Sequence, residues 1–148
     1  MFSIEAFGIT QAKARFNRLG AAAIDLAPAW EEILQFFFWI EDATFQSQGR
    51  RGGGGWAEDS EEWLASKARQ DLDPRINFTT WALYDAMTEL DAPGQIIEIT
   101  PQTLSIGSSL PQAAPSQKYR PFVKLTVSDK ATMAQLMKDH FIRAWNEA

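Results

Sequence analysis

Gly52-Gly53-Gly54-Gly55 divides this chain into two parts that must find their structure separately. Glycine loses the most backbone freedom on ordering, so neither a helix nor a strand runs through such a series. Residues 49–57 therefore form a loop. Trp56 follows the glycines directly, a large apolar anchor at the end of a mobile tether. Ser60 then stands where a helix N-cap belongs, ahead of Glu61, Glu62, Trp63 and Leu64. The segment reads as a loop that closes onto something and leads into a helix over Ser60 to Gln70.

Before the loop, an apolar series spaced 4-3-4-3 runs through Ala12, Phe16, Leu19, Ala23, Leu26, Trp30, Ile33, Phe37 and Ile40. That spacing places all of them on one helical face. Pro28 interrupts the series. Inside a helix a proline costs about 3 kcal/mol, but the first turn accepts it, and Asp25 is suited to cap a new helix there. An unbroken rod over residues 10–47 would be about 57 Å long, against a radius of gyration of about 15 Å for a globule of this size. The chain is expected to kink or break between Asp25 and Pro28. Phe36, Phe38 and Trp39 fall off the main stripe, so this helix is apolar almost all round. It is either covered on both sides or buried against another subunit.

Residues 2–9 read as a short edge strand. Beyond the loop, Thr79 or Thr80 opens a helix over Trp81 to Glu89, and Ala92-Pro93-Gly94 is a turn. The β-branched runs at 95–100 and 102–107 predict a hairpin. Residues 108–120 read as a polar, proline-broken loop, and Pro121 to Val127 alternates like a third strand. Asp129 is placed to cap a last helix, with Met133, Leu136, Met137, His140, Phe141 and Trp145 on its inner face. The sum is a single α+β domain over residues 1–148. A small antiparallel sheet packs against a long kinked N-terminal helix and a C-terminal helix, and the loops at 49–57 and 108–120 are mobile.

Residue usage narrows the chemistry. No cysteine is present, which excludes disulfides and thiol catalysis, and His140 is the single histidine. The net charge of −5 contains no positive block, and Arg50-Arg51 is its one basic pair. Tight binding to nucleic acid backbones needs clustered lysine and arginine. The glycines do not form a phosphate loop, because Trp56-Ala57-Glu58 follows them instead of Lys-Ser/Thr. Glu58, Asp59, Glu61 and Glu62 complement the dipole of the helix that they precede. No enzyme activity, cofactor or metal is expected. No apolar run is long enough for a membrane span, and the N-terminus lacks the features of a signal peptide, so synthesis in a cytoplasm is expected.

The order of these motifs resembles the virion morphogenesis, or tail completion, family of Mu-like and other long-tailed phages. Arg15-Phe16-Asn17-Arg18-Leu19 and Pro28-Ala29-Trp30 match its early helix, and Gly55-Trp56-Ala57 with the Ser60 helix matches its loop and following helix. Leu72 to Thr88 stands in the place of the family's central segment. The runs from Ile96 to Gly107 and Arg120-Pro121-Phe122-Val123 match its hairpin and Arg-Pro-Phe segment. The chain departs from the family at Leu110 to Gln117, where a Tyr-Ala-x-x-His-x-x-Gly segment is usual.

The resemblance implies a non-enzymatic structural protein, a minor tail or neck protein that joins tail to head. It would sit in the virion after assembly in the host cytoplasm, as a ring of six subunits. Its implied partners are the tail terminator or tail tube and the head-tail connector, with genomic DNA passing through the lumen without specific binding. Candidate interface residues are Phe36, Phe38, Trp39, Arg50, Arg51, Trp56, Tyr119 and Arg120. Replacing Trp56 by alanine is expected to leave the monomer folded and block joining. The alternative is a single-stranded nucleic-acid or nucleoprotein adaptor using Arg50-Arg51 and exposed aromatics.

Overall fold

The computed structural model describes residues 9–147. Along them come α1 (Ile9–Ile24), α2 (Ala27–Gln46), a 3-10 turn (Arg50–Gly52), α3 (Glu61–Arg69) and α4 (Ala82–Thr88). β1 (Gln95–Ile99), β2 (Leu104–Ser108), α5 (Ala113–Tyr119) and α6 (Val127–Asn146) complete the order. Helices with a two-stranded antiparallel sheet make this an α+β fold.

The break between α1 and α2 lies where the proline demands it, with Pro28 in the first turn of α2. The Asp25 carboxylate accepts the Ala27 N–H at 3.0 Å. A helix end leaves backbone groups without intrahelical partners, and a distant turn supplies them here. The Leu26 N–H donates to the Pro101 carbonyl at 2.8 Å, and the Gln102 amide donates to the Ile24 carbonyl at 2.6 Å. The tip of the β1–β2 hairpin thus holds the two helices at their junction.

α2 is the central element. Ile33, Leu34, Phe37, Phe38, Ile40 and Phe45 are all buried. Around Phe45 stand the rings of Trp56, Phe78, Tyr84 and Phe122, with centroids 5.4, 5.6, 5.5 and 6.0 Å away. Most meet edge to face or tilted, as ring quadrupoles favour. Ile97 pairs with Ile106 and Ile99 with Leu104, and these four residues pack one face of the hairpin on the same cluster. α1 packs chiefly on α6, which also lies along α2. The apolar stripe is therefore used unevenly. Its α2 half is core, whereas Phe16 in α1 is 63% exposed.

Several local expectations are corrected. Pro121 to Val127 is not a strand; residues 121–126 are irregular, and Val127 begins α6. The Gln117 side chain takes the backbone bonds that a ladder would have made, accepting from the Phe122 and Val123 N–H and donating to the Val123 carbonyl. Residues 108–120 are not a continuous loop, because α5 forms within them with Pro115 in its first turn, where the missing N–H costs nothing. Asp129 is not the N-cap of α6. That position is Thr126, and the two form a reciprocal capping box at 2.9 and 3.0 Å. Neither Thr79 nor Thr80 caps α4; Trp81 holds that place at φ 66°. Ser60 caps α3 as expected, accepting the Trp63 N–H. The strand expected over residues 2–9 lies outside the described residues, apart from Ile9, which opens α1.

Candidate functional site

The glycine-rich segment closes on the chain's own core. The Trp56 N–H donates to the Gln48 carbonyl at 2.8 Å, and its indole N–H donates to the Pro121 carbonyl at 2.8 Å. Trp56 is half-buried against Phe45 and Phe122. The glycine that this closure requires is Gly49, ahead of the run. Its φ is 81°, and a Cβ there would stand 2.5–2.7 Å from the indole. Among the expected interface residues, Trp56 is thus an internal anchor.

The others divide sharply. Phe38 belongs to the core. Phe36 is half-buried and stacks on Trp39 at 5.8 Å, and Trp39 is 59% exposed. Arg50 and Tyr119 are exposed. Arg51 is committed: its guanidinium grips Asp129 through both nitrogens, Nη1 at 2.6 Å from Oδ2, and lies 5.4 Å over the Trp39 ring. Arg120 is committed too. It donates from Nε to the Ala57 carbonyl at 2.8 Å and from Nη2 to the Glu58 carbonyl at 3.1 Å, and pairs with Asp59 at 3.0 Å.

Arg51 ties the loop to the first turn of α6, and Glu41 lies beside that tie. Arg51 is the main reason that the Asp129 carboxyl is held down at about 2. The Glu41 side chain is fully buried, and neither carboxylate oxygen has a hydrogen-bond partner among the described residues. Burial pushes it up to about 9, with Arg51 opposing and Asp129 adding to the rise. Glu41 is accordingly a neutral acid at pH 7.

The residues missed by sequence reasoning line a pocket of about 510 Å³ between α3, the start of α4 and α5. Trp63 and Trp81, 41% and 43% exposed, stand on it, with Asn77, Thr80, Gln112 and Ser116 also on its wall. An ion cluster stiffens one side. Lys67, buried, meets Asp59 at 2.6 Å, and Arg120 meets the same carboxylate. Asp59 therefore differs from Glu58, Glu61 and Glu62, whose side chains remain exposed. The i,i+4 spacing of Trp63 and Lys67, with Asp59 just ahead of the helix, was the available signal. Trp81 is held in the left-handed backbone region, a costly conformation for a bulky residue. Arg75 helps to fix it, lying 5.3 Å from its ring and bonded to Asp73 at 2.7 Å.

A second surface lies along α1 and α6. An apolar groove of about 300 Å³ is lined by Leu19, Phe141, Ile142 and Trp145 with Lys138 at its edge. Beside it, Lys13, Phe16, Gly20 and Ile24 form the outer stripe of α1, all exposed. His140 is satisfied, its ring 3.0 Å from the Ala22 carbonyl.

Among the described residues, no group of three or more potential ligands is arranged to hold a metal ion. Nor is any helix there long and apolar enough to cross a membrane. Comparison with family models, curated proteins and solved structures finds no match to this chain.

Proposed function

We propose that this protein is a non-enzymatic structural subunit of a phage-like particle, a tail completion or neck protein that forms a ring and joins tail to head. The observation that carries the reading is the set of apolar side chains left uncovered, with an open groove between α1 and α6. Phe16, Ile24, Trp39, Tyr119 and Val127 are each more than half exposed, and the α1–α6 groove is open beside two of them. Extended exposed apolar surface marks a binding face.

Two further observations support it. The Gly55-Trp56-Ala57 and Arg120-Pro121-Phe122 motifs, which carry the family resemblance, meet in space through the Trp56–Pro121 and Arg120–Ala57 hydrogen bonds. The nucleic-acid alternative loses much of its basis, because Arg51, one half of its basic pair, is already neutralised by Asp129. The six-fold ring, the tail-tube and connector partners and the passage of DNA through the lumen belong to the same proposal.

The test uses purified protein and tails assembled without it. Gold-labelled protein is expected at one end of each tail, the end that docks to heads, and should restore joining to filled heads. Label scattered along tails, or absent from them, would contradict the proposal.

A further inference from the structure

We infer that neighbouring copies join edge to edge through the hairpin, β2 of one copy pairing with β1 of the next. The inference rests on the ring reading above and names the contact that would build it. A ring requires a heterologous contact, in which one patch meets a different patch on the neighbour. The two edges of one hairpin are such patches.

Backbone bonding shows that both edges are free. The Thr100 N–H donates to the Thr103 carbonyl at 2.9 Å, and the Ser109 N–H donates to the Gly94 carbonyl at 2.8 Å. Antiparallel pairs alternate between bonded and non-bonded, so in this register Glu98 bonds Ser105 and Ile96 bonds Gly107. Ile97 and Ile99 of β1, and Leu104, Ile106 and Ser108 of β2, therefore turn their N–H and C=O groups outwards. Among the described residues, none of these outward groups has a backbone partner. No residue of either strand is fully buried. The other strand-like segment, Pro121 to Val127, does not cover them, because Gln117 occupies its backbone groups. Beside Gly107 and Ser108 the β2 edge instead borders an open groove of about 390 Å³, with Met87, Ala113 and Phe122 also on its wall.

A free edge is a template for another strand, and monomeric proteins block it with charge, proline or a bulge. β2, Leu104-Ser105-Ile106-Gly107-Ser108, has neither charge nor proline, and the one charge of β1 is Glu98. The outer face selects the occupant. β1 presents the larger side chains, Ile96 and Glu98, and β2 the smaller, Ser105 and Gly107. Ile96 is 42% exposed, and a Cβ on Gly107 would meet open space. Glycine inside a strand weakens it and marks the close approach of another backbone. β1 of a second copy fits this edge, being of equal length and laying its bulky row beside the small row of β2. Copies related by rotation about a ring axis keep one orientation, so β2 meets the next β1 antiparallel, as within the hairpin. Pairing β1 with β1 would instead bring two Glu98 side chains onto adjoining strands of one face, which like charges oppose.

Cross-linking of the full chain tests the contact cleanly, since the sequence contains no cysteine. Glu98→Cys protein is mixed with Ser105→Cys or Gly107→Cys protein and mildly oxidised, and association is followed by sedimentation velocity. A disulfide-linked pair of unlike chains is expected in at least one mixture. Glu98→Cys mixed with Thr132→Cys, an exposed position on α6, should give none. Gly107→Glu puts a charge on the edge where the fold leaves open space, so it should keep the wild-type melting profile. It should nevertheless associate at least about tenfold more weakly than wild type. Wild type that assembles without the cross-link, or Gly107→Glu that assembles as tightly, would overturn the inference and leave the ring reading standing. Wild type that stays monomeric and without cross-links would overturn it too. Cross-linked open filaments in negative stain would support the contact and count against the closed ring.

Discussion

At the scale of single residues, Trp56 shows how a sequence cue acquires a different meaning in the fold. Its position after the glycines suggests a free anchor, yet its indole bonds Pro121 and its ring packs on Phe45. The expectation that its removal leaves the monomer untouched gives way to a stability prediction. Truncating a fully buried tryptophan costs about 3–5 kcal/mol, and Trp56 is half-buried, so Trp56→Ala should cost about 2–3 kcal/mol. A lowered melting temperature in scanning calorimetry is the expected result; an unchanged one would return Trp56 to the role of a surface anchor. The neighbour that makes this packing possible, Gly49, was hidden by the more conspicuous glycines after it. Only the close approach of the indole distinguishes it, and that is a tertiary fact.

At the scale of elements, α2, the 50–52 turn and α6 are joined through Arg51, Asp129 and the buried Glu41. Two carboxyl groups in one cluster move in opposite directions, and each has its own consequence for stability. Asp129 is lowered from 3.8 to about 2, so its contribution is present above about pH 4 and is lost as pH falls through about 2. Glu41 is raised from 4.5 to about 9. The native state then holds a proton that the unfolded chain releases, so stability is greatest below pH 4.5 and declines as pH rises towards 9. The slope from one such group reaches at most about 1.4 kcal/mol per pH unit. Glu41→Gln removes this titration. In urea unfolding, wild type should lose stability relative to the variant between pH 5 and pH 8; parallel profiles would show that Glu41 does not hold its proton there.

Helix boundaries were legible where a local rule governs them. The 3.6-residue periodicity marks α2 and α6, Pro28 marks the break, and Ser60 marks the start of α3. The Val-rich alternation of residues 121–127 misled because a strand needs a partner ladder, and Gln117 occupies the backbone groups that would have formed it. α5 was hidden by Pro111 and Pro115, of which the first lies ahead of the helix and the second is harmless in its first turn.

At the scale of the whole molecule, the fold covers one half of its apolar stripe and leaves the other open. α2 is enclosed by the hairpin, α4 and α6, whereas α1 packs chiefly on α6 and exposes Phe16 and Ile24. Sequence periodicity marks both halves identically, because it reports which residues share a face and not whether anything covers that face. The pocket was illegible for a related reason. Trp63, Trp81, Gln112 and Ser116 lie in or at the starts of three helices, and Arg120 reaches Asp59 beside them across some sixty residues of chain. The open face of α1 and the aromatic pocket beside Trp63 and Trp81 are the surfaces that the proposed assembly has to account for. The most direct measurement is negative-stain microscopy of a lysate from the parent particle with this gene deleted. Filled heads beside separate, full-length tails are the predicted result, and normal infectious particles would contradict it.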